Sequence, residues 1–485
     1  MHNFVRLGVA VVASPLEVGA SEAPVLQERV CKALDDAAQP GLLPTLPAGD
    51  PYGDGRVGKL PILPADDLYG DGRVGRLPAR LEILPFARAV TDPFTAVAAG
   101  RYFYEQRVDA LCVVAASWFE DYLLLDLLEE CDVPLIAWAR PGMETGSLCG
   151  MQQLGFVLQA LGKSHTIIFD ELASRTALER ARTYALAAAV RRQLRRARLG
   201  FMGHRVEGMT EATGHELAMK KTLGPRIVGL DTPQFLERVA RVSVESAAAS
   251  WAEIQGQVGG VTASPEAGIA SVQVYTVLKE VIAETGLDAL AIGCYPHLMG
   301  KVCLAASLLG EEGIPLGCEG DINGALGMLI LTRLTRQPVH NTDLLDPIPA
   351  HNSIVYSHCG SGGFSLARSP AEITLGPVRL MNRGLCCLFT ARPGECTLLN
   401  LAPTMSGYRL GVLHGQALET TPVNYTGMVF PGNPLEVQFK SGYREILAWM
   451  AENGLGHHWM AAYGDLRPAL ADLAGMVGLE LLTQE

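Results

Sequence analysis

Along the first third of the chain, short apolar runs alternate with segments in which apolar residues return every three or four positions. Leu7 to Ala13, Ala110 to Ala116 and Val133 to Trp138 read as strands, and Glu22 to Ala38 and Asp121 to Glu130 as helices. Strands apolar on both faces belong to a parallel sheet covered by helices, so residues 1–164 predict a doubly wound α/β domain. The alternation continues over 165–350. Strands are expected at Arg198 to Gly203, Arg226 to Asp231 and Leu287 to Cys294, and helices at Leu172 to Leu199 and Ala263 to Thr285. From about His351 the texture changes to β-like runs, Glu372 to Leu380, Leu385 to Thr390, Cys396 to Leu401 and Tyr408 to Leu413, separated by glycine and proline turns. Residues 351–485 therefore predict an antiparallel β domain or barrel, with flanking helices at Tyr443 to Asn453 and Leu466 to Val477.

One segment breaks the alternation. Asp50 to Pro61 recurs seventeen residues later as Asp67 to Pro78, a tandem duplication inside a glycine-rich and proline-rich stretch over about 41–80. Its Asp-x-Tyr-Gly-Asp-Gly core echoes half of a calcium loop. A tyrosine at the third position and a proline at the twelfth deny it the oxygen ligands of an EF-hand, so an inserted surface loop is expected.

Composition narrows the class. With 485 residues, 48% of them hydrophobic, the chain can build more than one substantial core. A net charge of −12 gives no electrostatic help toward nucleic acid or anionic membranes and suits a small neutral substrate. The basic run Arg191, Arg192, Arg195, Arg196 and Arg198 lies on a helical pattern and reads as a solvated or subunit-contacting face. Eleven scattered cysteines, including an adjacent Cys386-Cys387 pair, form no disulfide framework and fit a reduced cytoplasm. Every apolar run stops before 18 residues, so no membrane span is expected. Leu7 to Ala13 after Arg6 could pass for a signal-peptide core, but the same run makes a good first strand.

The chemistry sits where apolar runs end. Gly313 to Cys318 reads as a buried strand and Ala325 to Leu334 as a buried helix, which places Glu319 and Asp321 in a strand-to-helix turn, the usual ligand crevice of an α/β sheet. Asp321 and Asn323 are good helix caps. Pro338 to Asp343 reads as a strand closing on an acid, and Ser353 to His358 as one closing on a histidine; His457-His458 lie between the last two helix patterns. Carboxylates with imidazoles and no thiolate pair suit Mn²⁺ or a related divalent ion such as Mg²⁺ or Co²⁺ rather than structural zinc. Cys318 and Cys359 read as small buried fillers. Trp118, His204, Arg205 and His297 each follow a strand and are crevice candidates, with core packing, capping or structural hydrogen bonding as the competing roles. No GxxxxGK[ST] motif is present, which argues against nucleotide hydrolysis.

On these residues the chain resembles the L-fucose isomerase and L-arabinose isomerase superfamily. Cys318-Glu-Gly-Asp-Ile-Asn-Gly-Ala-Leu326 is similar to the family's acidic motif, with Glu319 on its first metal-binding glutamate and Asp343, 24 residues on, at its second acidic ligand. Gly454 to Gly464 looks like the late segment that supplies a histidine ligand, at His458. Ser357-His358-Cys-Gly resembles the site of a further histidine ligand in arabinose isomerases. The match is clearest over 288–343, at His358 and over 457–465; the first 160 residues share only the α/β layout, and Cys294-Tyr-Pro-His297 departs from the relatives.

The resemblance implies a metal-dependent aldose–ketose isomerase working through an enediol on an open-chain monosaccharide. Glu319 and Asp343 would be ligands and acid–base groups, His458 and His358 ligands, and His297, Arg205, Trp118 and His457 substrate contacts. It also implies a homo-oligomer, the hexamer being common in the family. A non-catalytic sugar-binding or regulatory protein, and another metal-assisted sugar enzyme such as an aldolase, are the competing functions.

Overall fold

The structure is a computed structural model, described here over residues 4–37, 80–379, 382–419 and 432–484. The duplicated segment 50–78 lies outside the described residues. Those before 194, with 468–478, form one compact unit; the remainder forms a second.

The first unit is built on a five-stranded, all-parallel sheet. Its strands are β1 (Phe4–Val12), β2 (Arg80–Pro85), β3 (Ala110–Ala115), β4 (Leu135–Ala139) and β5 (His165–Phe169), in the order β2-β1-β3-β4-β5. That is a doubly wound order with its switch point between β1 and β3. Every residue of β3 and β4 is buried, because helices cover both faces. Since β5 pairs with β4, this sheet extends beyond residue 164. Trp138 is a core residue whose Nε1 donates to the Asp170 carbonyl at 2.9 Å.

The basic run meets this sheet in a specific way. Arg192, on the helix Arg175–Leu194, ion-pairs with Asp109, a carboxylate only 2% exposed that also accepts the Arg6 backbone N–H at 2.8 Å. Burial pushes the Asp109 carboxyl up, and Arg192 is the main group opposing that push. Arg195 and Arg196 are exposed, as a solvated face requires.

The second unit joins an α/β sheet to a barrel. The sheet consists of β6 (Arg198–Met202), β7 (Arg226–Leu230), β9 (Ala289–Ile292) and β10 (Leu316–Gly317), all parallel, in the order β10-β9-β6-β7. A smaller sheet sets β8 (Gly260–Val261) parallel and β14 (Arg383–Leu388) antiparallel to β13 (Thr374–Val378). The barrel strands are β11 (His340–Ile348), β12 (Ser353–Ser357), β15 (Gly394–Pro403), β16 (Tyr408–Ala417), β17 (Leu435–Phe439) and β18 (His458–Tyr463). They pair antiparallel in the ring β15-β18-β11-β12-β17-β16 and back to β15, with β19 (Glu480–Gln484) parallel on β16. Closure removes the free edges of an open sheet. The barrel starts at His340, so Asp343 stands on a barrel strand. Among the described residues no helix is long and apolar enough to cross a membrane.

Replacing Arg192 by alanine leaves Asp109 buried without its main counter-charge. The substitution is expected to cost about 3 kcal/mol in urea unfolding, while Arg196→Ala, on the exposed face, stays within about 0.5 kcal/mol.

Candidate metal centre

The centre begins at the end of β10. Glu319 and Gly320 are consecutive left-handed residues, at φ 62° and 70°, before Asp321 opens the helix Ile322–Thr335. For glutamate that backbone costs roughly 1–2 kcal/mol, so the surroundings must impose it. They do so from three directions. The Glu319 N–H donates to Cys294 Sγ at 3.3 Å, its carbonyl accepts from Val206 N at 3.2 Å, and Gly320 N donates to the Ile292 carbonyl at 2.9 Å. A Cβ on Gly320 would lie 2.6 Å from the His204 carbonyl oxygen, so only glycine lets the loop after β6 pack on this turn.

Asp321 uses its two carboxylate oxygens for different tasks. Oδ1 accepts the backbone N–H groups of Asn323 and Gly324, both at 3.0 Å, and Oδ2 lies 2.8 Å from His458 Nδ1. Apart from Arg333 every residue of that helix is buried, so the free N–H groups of its first turn gain from a side-chain cap. Helix capping and site support are thus one interaction. With Nδ1 donating to Asp321, His458 presents Nε2 to the cluster.

The barrel register supplies the rest. Asp343 on β11 faces His458 on β18 on one side and Ser357 on β12 on the other, and His358 follows β12 directly. His458 Nε2 lies 3.2 Å from Asp343 Oδ1 and 3.4 Å from Glu319 Oε2; His358 Nε2 is 3.7 Å from Asp343 Oδ1. The two histidines are 7% and 5% exposed. His458 Nε2, both ring nitrogens of His358 and Asp343 Oδ1 are buried without a hydrogen-bond partner. Buried polar atoms seldom stay unsatisfied, and His358 Nε2 and His458 Nε2 both face Asp343 Oδ1. Glu319, His358 and His458 offer donor atoms within 4.8 Å of one another, as do Asp343, His457 and His458. Two carboxylates and two imidazoles fit a divalent cation.

Charge on the cluster is balanced by protons. Burial disfavours the imidazolium of His458, yet the hydrogen bond to Asp321 and the neighbouring carboxylates of Asp343 and Glu319 outweigh it and raise the ring to about 12. Burial also opposes charge on His358, which Asp343 more than offsets, taking it to about 10. Burial would raise the carboxyls of Glu319 and Asp343, but the histidines hold both below the usual carboxylate range. A divalent cation here would take over the charge those imidazolium protons carry.

Other anticipated residues fall around the cluster or away from it. His457 is half exposed, its ring 4.3 Å from that of His458 and its Nδ1 2.7 Å from Glu211 Oε1. Arg205 is half buried on the loop against Gly320 and donates to the Val206 carbonyl at 3.2 Å. His297 is exposed beyond β9. Trp118 belongs to the first unit, where it follows β3 and its Nε1 donates to Gln153 Oε1 at 3.3 Å. Cys318 is buried and Cys359 half buried. Glu211 carried no signal in the sequence. It sits in a short 3₁₀ turn, Thr210–Ala212, whose backbone is held by the Asn323 side chain through the Glu211 and Thr213 carbonyls at 3.3 and 3.2 Å. With Asp321, Asn323, Asn400 and His458 it lines a pocket of about 80 Å³. A third acid–histidine group, Glu395, His414 and Asp465, is occupied by its own charges: Arg467 grips both Asp465 oxygens at 2.8 Å, and His414 pairs with Glu395 at 3.0 Å.

Asp321→Asn separates the two tasks of this carboxylate. Asparagine still caps the helix but its amide nitrogen cannot accept from His458, so Mn²⁺ affinity is expected to fall about 10–100-fold by calorimetry, with the melting temperature nearly unchanged. Because the histidines hold protons at neutral pH, Mn²⁺ binding should release them. Titrations in buffers of different ionisation enthalpy should show that release, and affinity should strengthen as pH rises.

No family model matches the chain. It is 25% identical over 385 residues to the sulfoquinovose isomerase of Priestia aryabhattai, covering 77% of this chain and 85% of that protein. It is 24% identical over 389 residues to the sulfoquinovose isomerase of Alkalicoccus urumqiensis, with 78% and 86% covered. Against the sulfoquinovose isomerase of Clostridium sp. (strain MSTE9) the identity is 25% over 355 residues, with 72% and 78% covered. With its buried acid–histidine cluster, the chain is a distant homologue of aldose–ketose sugar isomerases.

Proposed function

We propose that this protein is a divalent-metal-dependent aldose–ketose isomerase acting on an open-chain monosaccharide through an enediol, with sulfoquinovose first among candidate sugars. The carrying observation is the convergence of Glu319, Asp343, His358 and His458 with four of their buried polar atoms unpartnered. A bound Mn²⁺ or similar ion would polarise the carbonyl and neighbouring hydroxyl of the sugar.

The residues divide the remaining work. Glu319 and Asp343 would hold the cation, and their carboxylates would exchange the proton that must leave C2 and return at C1, a task worth about 10²–10⁴-fold in rate. His458 and His358 complete the donor set, and Asp321 keeps His458 in the required tautomer. Arg205, His457 and His297 would be substrate contacts, and Arg205, on the loop packed against Gly320, would be the partner for an anionic substituent on the sugar. L-Fucose and L-arabinose are the alternative substrates suggested by the motifs. A sugar-binding protein without catalysis would not need four converging donors.

The deciding experiment incubates Mn²⁺-loaded protein in D₂O with sulfoquinovose, L-fucose, L-arabinose and their ketoses, following label at C1 and C2 by NMR. Ketose should form with carbon number conserved, and Glu319→Gln should lower kcat about 10²–10⁴-fold. Sugar binding that neither needs Mn²⁺ nor leads to exchange would identify a sensor instead, and chain-shortened products an aldolase.

A further inference from the structure

Two thiols stand behind the turn that carries Glu319. Cys294 follows β9 and Cys318 follows β10, neighbouring parallel strands, and the two side chains lie against each other. Cys294 Sγ also accepts the Glu319 backbone N–H at 3.3 Å, so its sulfur lies next to the Cys318–Glu319 peptide. Both cysteines are free and buried, 4% and 2% exposed, and neither belongs to the donor cluster. As fillers they would need only to be apolar. Their placement at one hydrogen bond from the Glu319 backbone gives them a lever on it.

The geometry points to a redox modification site: a hydroperoxide links Cys294 and Cys318 in a disulfide that withdraws Glu319 from the donor cluster. The inference rests on Glu319 being a cation ligand. The first thiol attacks a peroxide oxygen and the O–O bond breaks, giving a sulfenic acid and water or an alcohol. The second thiol then attacks the sulfenic sulfur, the S–O bond breaks, and the departing hydroxide leaves as water with the thiol proton. Two thiols are oxidised, and one hydroperoxide is reduced.

An S–S bond of about 2.05 Å is shorter than any thiol–thiol contact, so the Cys294 sulfur must move toward Cys318. The turn cannot follow as a body, because Gly320 is packed against His204 and Arg205. Glu319, already at φ 62°, also loses the sulfur that accepts its N–H as that sulfur swings toward Cys318. Displacement of its carboxylate from His458 is the outcome.

The test treats the full-length reduced protein with hydrogen peroxide, alkylates the remaining thiols, maps disulfide-linked peptides by mass spectrometry and titrates Mn²⁺ by calorimetry. A Cys294–Cys318 peptide should appear, with Mn²⁺ affinity lowered about tenfold or more and restored by dithiothreitol, which does not reverse methionine oxidation. Cys318→Ser, or Cys318→Ala should the serine variant fold poorly, should bind Mn²⁺ equally before and after peroxide. The proposal is overturned if no such peptide forms, if the linked protein binds Mn²⁺ as the reduced one does, or if the Cys318 variant loses affinity to the same extent. Failure of the reduced protein to bind Mn²⁺ would count against the metal reading instead, and peptide mapping would still decide whether the two thiols join.

Discussion

The carboxylate of Asp321 ties the second unit together. One oxygen closes the first turn of a helix that is buried almost all round, and the other holds a histidine delivered by a barrel strand. The helix needs an acceptor there because its first turn is buried, and the histidine needs one to direct Nε2 inward. A single side chain thereby couples the α/β sheet to the barrel. The Asn323 side chain extends the same junction, anchoring the turn of Glu211 while Tyr408 donates to its Oδ1 at 3.2 Å.

Around that junction the donors are held by backbone rather than by long side chains. Glu319 is placed by a strained turn with hydrogen bonds on three sides. Asp343 and His458 are placed as direct partners in an antiparallel ladder, and the Asn400 side chain adds a 2.6 Å hydrogen bond to the His458 carbonyl. A one-residue slip of β18 against β11 would turn His458 away from Asp343, and the closed ring of strands prevents it. Strain at Glu319 and rigidity in the barrel thus complement each other: the donors are fixed in position before any ligand arrives.

Legibility in the sequence varied with local pattern. Glu319, Asp343 and His358 each close an apolar run, and His458 follows a glycine-rich turn, so all four could be picked out one by one. Asp321 was legible as a cap, but its second hydrogen bond was not, because His458 lies 137 positions away along the chain. Glu211 left no trace, since a three-residue 3₁₀ turn has no periodicity to betray it. The basic run was legible as a helix face, yet Arg192 leaves that face to pair with buried Asp109, which only the packing of helix on sheet could reveal. Asp343 reads naturally as the end of an α/β strand and belongs to the barrel, because strand pairing depends on partners far along the chain.

The sequence by itself determined the element types and the donor chemistry. Continuous apolar runs require covered parallel strands, alternating ones an antiparallel sheet, and carboxylates with imidazoles at run ends form a hard-to-borderline donor set. Tertiary structure alone decided which donors meet. It set the register that faces Asp343 with His458, closed the ring of barrel strands, imposed the left-handed backbone of Glu319 and brought Cys294 against it. Those outcomes follow from contacts between residues distant along the chain, where local preference has no influence.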